Sequence, residues 1–159
     1  MQATFVHLRL HSEYSMVDGI VRMKPLVKAA ADSGMPAVAV TDQNNMFGLV
    51  KFHKAATGAG VKPIFGADVI MVDEEDSQQT HRLVLLCRTN EGYKNLTRLV
   101  SRAYTEGQLR GIPMLRKSWL HGQSGGLIAL SAGREGDVGK ALLAGNEEQA
   151  GRLLEAWKE

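Results

Sequence analysis

The run Ala37-Val38-Ala39-Val40-Thr41 constrains the fold more than any other stretch of the chain. It is apolar up to its last residue, too short for a helix, and built of small and β-branched residues that suit a strand buried on both faces. Helical stripes stand on either side of it. Before it, Leu26, Ala29 and Ala30 recur at helical spacing behind Pro25, a residue tolerated in a first helical turn, and Gly34 is a natural stop. After it, Leu49, Phe52 and Ala56 form a second stripe that ends among Gly58 and Gly60. The alternation continues with a strand from Pro63 to Val72, in which Gly66 marks a bulge or a close approach. A strand from Leu83 to Cys87 follows, then a helix capped by Asn90 and carrying Tyr93, Leu96, Val100 and Ala103, then a strand from Leu127 to Ser131. An opening strand over roughly Thr4 to His11 completes the set. The pattern predicts an α/β architecture with a largely parallel sheet.

At 159 residues the chain suits one domain with a real core. Its net charge of +2 is too small for an electrostatic clamp on nucleic acid, so any DNA contact is local or lies on another part of the molecule. The single cysteine, Cys87, excludes an internal disulfide framework and reads as a buried, inert thiol. With no membrane-length apolar run and no signal-peptide pattern, the expected compartment is the cytoplasm, with no membrane partner. Asp73 to Asp76 reads as a solvated turn, and Glu106 to Gly126 as a long connection with one short helix around Trp119. Near the end, Asn146 and Gln149 have capping-box spacing, and Ala150, Leu153, Leu154 and Trp157 form an apolar stripe. That stripe has no evident partner, and five strands do not close a barrel of the eight-stranded kind. The expectation is a chain cut short.

Alternate residues of a strand share a face, so His7, Arg9 and His11 are expected to point the same way. Two histidines one residue apart at a strand end would make a good metal pair. Arginine between them cannot ligate a cation and brings a positive charge instead. Asp42 follows the buried run, at the strand end where parallel α/β folds place their sites. Asp68 lies in the third strand and Asp18 in the loop after the first. By residue type alone, aspartates placed like these more often cap helices or turn the chain than hold a metal. His53 reads as a helix-surface or half-buried residue, His81 as structural, and His121 carries no signal. Ser12 and Ser15 lack the strand-turn-helix setting of a hydrolase nucleophile. Lys24, Lys28, Arg98 and Arg102 read as solvated helix faces.

The segment His7-Leu8-Arg9-Leu10-His11-Ser12-Glu13-Tyr14-Ser15-Met16-Val17-Asp18-Gly19 resembles the opening motif of the polymerase-and-histidinol-phosphatase (PHP) domain in the alpha subunits of bacterial DNA polymerase III. Thr41-Asp42-Gln43-Asn44-Asn45-Met46-Phe47-Gly48, Gly60 to Asp68, and His81 to Ser101 with Gly92-Tyr93-Lys94-Asn95-Leu96 are similar to its next three motifs. The resemblance runs in order along nearly the whole chain and is closest to the proteobacterial type.

It implies the N-terminal part of a PHP-type β/α barrel, a distorted relative of the eight-stranded one, as a single domain over residues 1–159. Active members hold a metal cluster at the strand ends that activates water for phosphoester hydrolysis. This chain keeps His11, Asp18 and Asp42 of the implied ligand set. It departs at Arg9 and at Gln43, where active members carry histidine, and at Asp68, where glutamate is usual. The implied site is degenerate and empty: Arg9 would sit near Asp42 and Asp68 and pair with them in place of a metal. No cofactor is then expected in this segment, the alternative being zinc or manganese in an active phosphoesterase or pyrophosphatase. The resemblance further implies a non-catalytic module of a magnesium-dependent polymerase. Its partners would be the rest of the alpha subunit and the proofreading exonuclease subunit, with DNA reached through the parent protein.

Overall fold

The computed structural model describes residues 5–74 and 78–158. A 3₁₀ turn at Glu13–Ser15 leads to helix α1 (Met23–Asp32), which carries Pro25 in its first turn and is followed by Gly34 at φ +68°. Strand β1 (Ala37–Gln43) is buried along all but its last residue, as its composition demands. Helix α2 (Leu49–Gly58) connects it to β2 (Lys62–Val72), and the two strands pair in parallel with Gln43 opposite Asp68. Strand β3 (Thr80–Cys87) returns antiparallel to β2. A parallel pair needs a crossover of a dozen or more residues, and the link over residues 73–79 is too short for one. The sheet is therefore mixed where a largely parallel one was expected. Part of the acidic turn predicted there, Glu75 and Asp76, lies outside the described residues.

Helix α3 (Asn90–Thr105) is capped by Thr89, whose hydroxyl accepts the Gly92 N–H at 3.2 Å; Asn90, the predicted cap, is its first helical residue. Thr89 wins because it is the residue still in extended geometry. A short hairpin of β4 (Gln108–Leu109) and β5 (Ile112–Pro113) precedes β6 (Leu115–Arg116), which lies parallel to the end of β2. A 3₁₀ turn over Lys117–Leu120 carries Trp119, and β7 (Leu127–Leu130) then pairs antiparallel with β3. A 3₁₀ turn at Gly133–Glu135 and two helices, α4 (Asp137–Leu143) and α5 (Glu147–Ala156), end the chain. Among the described residues, no helix is long and apolar enough to cross a membrane.

Strand alternation sorts the sheet into two unlike faces. One carries Val38, Val40, Ala67, Val69, Met71, Leu83 and Leu85, and α1, α2 and α3 all pack on it. The other carries only a small apolar cluster of Ala39, Val84, Leu86 and Ala132, with Asp68 beside it. Gly66 is a close-approach point rather than a bulge: a Cβ there would lie 2.5 Å from the Leu85 carbonyl oxygen, while the β2–β3 register runs unbroken through it.

The opening segment runs beside β1 but is not a ladder strand. Ala39 N–H bonds to the His7 carbonyl and Thr41 N–H to that of Leu10, so one residue too many stands opposite β1. The Leu10 N–H turns instead to Thr41 Oγ1 at 2.9 Å. This bulge-like slip replaces the strand predicted over Thr4 to His11; Thr4 itself lies outside the described residues. The Trp157 stripe is not orphaned either. Trp157 packs on the larger core cluster, and its indole N–H donates to Asp137 Oδ2 at 2.8 Å.

Candidate functional site

The site lies on the polar face of the sheet, around the level of Asp68 in β2, where the flanking strands β1 and β7 finish. Asp68 is its centre. Its side chain is fully buried, and Oδ2 accepts from Arg9 Nε at 2.7 Å and faces His11 Nε2 at 2.9 Å. The Arg9 guanidinium also reaches Glu135 Oε2 at 2.6 Å, beyond the end of β7. On its other side, His11 Nδ1 stands 2.7 Å from Asp18 Oδ2, tying the exposed loop at residues 16–18 to the sheet. Arg82, across the β2–β3 ladder, brings Nη1 to 3.8 Å from Asp68 Oδ1. Both of those atoms are buried without a hydrogen-bond partner.

The charges follow from these contacts. Burial pushes the Asp68 carboxyl upward, but the His11 and Arg9 hydrogen bonds and the Arg9 and Arg82 charges outweigh it and hold it below its ordinary value. The bond to Asp68 is the largest influence on His11 and, with Asp18, raises the imidazole above its ordinary value against the opposing burial. Arg9 is opposed by burial and raised on balance by Glu135 and Asp68.

Asp42 stands apart from this cluster, contrary to the expectation that Arg9 would pair with it. Residues in register share a face, so Gln43 lies on the side of Asp68, and Asp42 lies with Ala67 on the other. Asp42 is buried and accepts from Ser12 N–H at 2.6 Å, Ser12 Oγ at 2.8 Å and Ser15 Oγ at 2.9 Å. The two serines are thus donors that fasten the first loop to β1. Gln43 contributes backbone, its N–H donating to Ser15 Oγ at 3.0 Å and its carbonyl accepting from Asn45 Nδ2 at 2.9 Å.

His7 does not share the position of Arg9 and His11; the slip in the opening segment leaves it exposed, edge-on to Phe5 at 4.7 Å. His81 belongs to another cluster, its Nε2 3.8 Å from Asp137 and its ring 6.4 Å from that of Trp157; burial holds it below its ordinary value. His53 and His121 are exposed. Cys87 is partly buried, and burial pushes its thiol up to about 11, the behaviour of an inert cysteine.

Two members of the site had no place in the sequence reading, Glu135 and Arg82. Arg82 alternates with Val84 and Leu86 in β3, a signal that fixes its face but not its function. Glu135 follows the last strand just as Asp42 ends β1, and the same strand-end logic would have flagged it. Among the described residues, no three histidine, cysteine, aspartate or glutamate side chains come together in a metal-holding arrangement.

Residues 7–159 match the family described as the PHP domain. The chain is 54% identical over 159 residues to DNA polymerase III subunit alpha of Pseudomonas aeruginosa, covering 100% of this chain and 14% of that protein. To the same subunit of Escherichia coli it is 52% identical over 143 residues, covering 89% of this chain and 12% of that protein. The chain thus spans a small part of the relatives it matches. Among solved structures, an amidohydrolase from Chromobacterium violaceum with bound sulfate and no metal is similar with a TM-score of 0.49 and 21% identity, over 62% of this chain and 33% of that one.

Proposed function

This chain belongs to the PHP domain family, and from that premise we propose that it serves DNA replication as a non-catalytic N-terminal module of a DNA polymerase III alpha subunit. In this reading it is one folding unit that stabilises the polymerase and docks the proofreading exonuclease subunit, while nucleotidyl transfer and DNA contact belong to the rest of the alpha subunit.

The observation that carries the non-catalytic part is the seat of Arg9. A guanidinium 2.7 Å from Asp68 and 2.6 Å from Glu135 occupies, with its own charge, the place a divalent ion would need. The remaining donors fit a metal poorly. Asp68 Oδ2 is shared by Arg9 and His11, and its orphaned Oδ1 faces the Arg82 cation. Asp42 is saturated by the two serines. Gln43 supplies a neutral amide where a histidine would be needed. The residues present do not fit a catalytic metal.

The test is calorimetric titration with zinc and manganese, on this chain and on the full PHP domain side by side. Neither is expected to bind at micromolar levels, and Arg9→His alone should not restore binding, because Gln43 is also changed. Stoichiometric zinc in that single variant would overturn the reading and favour a metal-dependent phosphoesterase. Docking is checked separately, by capture of the purified exonuclease subunit on the folded, full-length PHP domain; absence of capture would remove that part.

A further inference from the structure

The last helix is fastened to the rest of the chain just past its final turn. Trp157 packs on the larger core cluster, and its indole N–H donates to Asp137 Oδ2 at 2.8 Å. Lys117 Nζ lies 4.6 Å from the indole ring and donates to the Ala156 carbonyl at 2.8 Å. His81, in β3, is wedged against this fastening. Its ring stands edge-on to the indole with centroids 6.4 Å apart, and its side chain is 17% exposed. Nε2 is buried without a hydrogen-bond partner among the described residues, 3.8 Å from the same Asp137 oxygen.

The charges around this nitrogen come from several elements. Helix α4 brings Asp137 and Lys140, the turn after β2 brings Asp73, the 3₁₀ turn before β7 brings Lys117, and α5 brings only the uncharged indole. Arg134 and Glu135 line the same groove as His81, while Arg82, next in β3, reaches toward Asp68 Oδ1. Both oxygens of Asp137 are engaged, Oδ1 by the Val138 N–H at 2.7 Å and Oδ2 by the indole. A neutral imidazole tolerates this place; an imidazolium needs an acceptor or water. Reaching Oδ2 across 3.8 Å competes with the indole for that oxygen, and reaching water opens the contact with Trp157. Both routes loosen the same bond. We propose that His81 is an acid-operated release for the last helix: a proton on its orphaned nitrogen undocks Trp157, and α5 with it, from a sheet that stays folded. Undocking uncovers Leu85, Leu120 and Leu127 in the cleft beside Trp157. Burial is the largest influence on His81 and holds it below its ordinary 6.5 against the attraction of Asp137. Docking is therefore complete above pH 6.5 and weakens as pH falls below it, the reverse of the His11 contribution.

The experiment is a nuclear magnetic resonance titration of the full chain between about pH 7.5 and 5. The Trp157 indole N–H signal, identified by its loss in Trp157→Phe, should move to the position of a free indole with the midpoint of the His81 ring, while the amides of β1 and β2 hold. Amide exchange in α5, corrected for its intrinsic rate, should quicken by up to about tenfold per pH unit through that range. His81→Gln cannot take up the proton and should leave the indole signal fixed; the exposed His7, His53 and His121 remain in it as the control. An indole signal that stays put in the wild type, moves equally in His81→Gln, or moves only together with the β2 amides would overturn the proposal. Should His81→Gln fail to fold by circular dichroism at pH 7.5, the wild-type titration decides alone: indole and His81 ring midpoints that differ overturn it, and midpoints that coincide support it.

Discussion

At Asp68 a buried carboxylate is kept ionised by neighbours that are themselves only partly covered. Arg9 keeps about a third of its side chain exposed, at 34%, so solvent screens its half of the pair. Losing it still strips a donor from a fully buried acceptor. Arg9→Met is expected to cost about 1–3 kcal/mol in urea denaturation. The double change Arg9→Met with Asp68→Leu should recover part of that loss, because a buried ion pair is worth less than the penalty for orphaning one partner. The pH dependence has a definite sign. His11 has its folded value raised above 6.5, so its contribution is full below 6.5 and is lost as pH climbs through the raised value. Asp68 has its folded value lowered from 3.8, so its contribution is full above 3.8 and is lost as pH falls through the lowered value. The His11 contribution should therefore decline toward the alkaline side between about pH 5 and 8, against an opposite contribution from His81, whose folded value is lowered by burial. In His11→Gln that decline should be smaller; an unchanged slope would contradict the assignment.

At the scale of elements, the join between the first loop and β1 depends on one carboxylate. Asp42 collects three donors from Ser12 and Ser15. Asp42→Ala would leave two buried hydroxyls and an N–H without an acceptor, and about 3–5 kcal/mol of stability should be lost. Asp42→Asn preserves the shape but not the charge and should cost about half as much. Thermal melts of the two variants, compared with wild type, check the ordering. Gly66 binds β2 to its neighbours in a different sense, by having no side chain. A Cβ there would press on the Leu85 carbonyl at 2.5 Å and on Thr41 Cγ2 at 3.0 Å. Gly66→Ala is expected to destabilise by about 1–3 kcal/mol, since the first obstacle is backbone and cannot swing away.

For the molecule as a whole, the two sheet faces do different work. The three central helices cover one of them, so most of the hydrophobic stabilisation is gathered there. The opposite face is held by polar contacts that join distant parts of the chain. Arg9 links the opening segment to β2 and to the turn after β7. On the helix-covered face, Trp157 anchors the last helix by packing on the larger core cluster, with Asp137 as acceptor and a cation–π contact with Lys117 at 4.6 Å. Trp157→Ala is expected to cost about 2 kcal/mol, less than a fully buried tryptophan would, and to release α5 from amide-exchange protection before the sheet. Hydrogen exchange that showed α5 opening no earlier than β2 in that variant would place its anchorage elsewhere.

Local pattern was enough for the elements that bury a stripe or a run. The β1 run, the α1 and α2 stripes, the helix carrying Leu96 and Ala103 and the capped final helix all stand close to where periodicity put them, because burial of neighbouring side chains is a short-range signal in the chain. The motif resemblance also carried the family, and the residues at Arg9, His11, Asp18 and Asp68 do converge. What pattern could not supply was direction and pairing. Whether β3 runs with or against β2 depends on the length of a link, and which face Asp42 takes depends on register with a strand some twenty-five residues away. The partner of Arg9 is the clearest instance. The motif resemblance suggested Asp42 and Asp68; Asp68 does pair with Arg9, but the sheet turns Asp42 toward the serines and brings Glu135, 126 positions away, into its place. Such a contact has no local signature, since neither residue needs the other until the strands between them have paired.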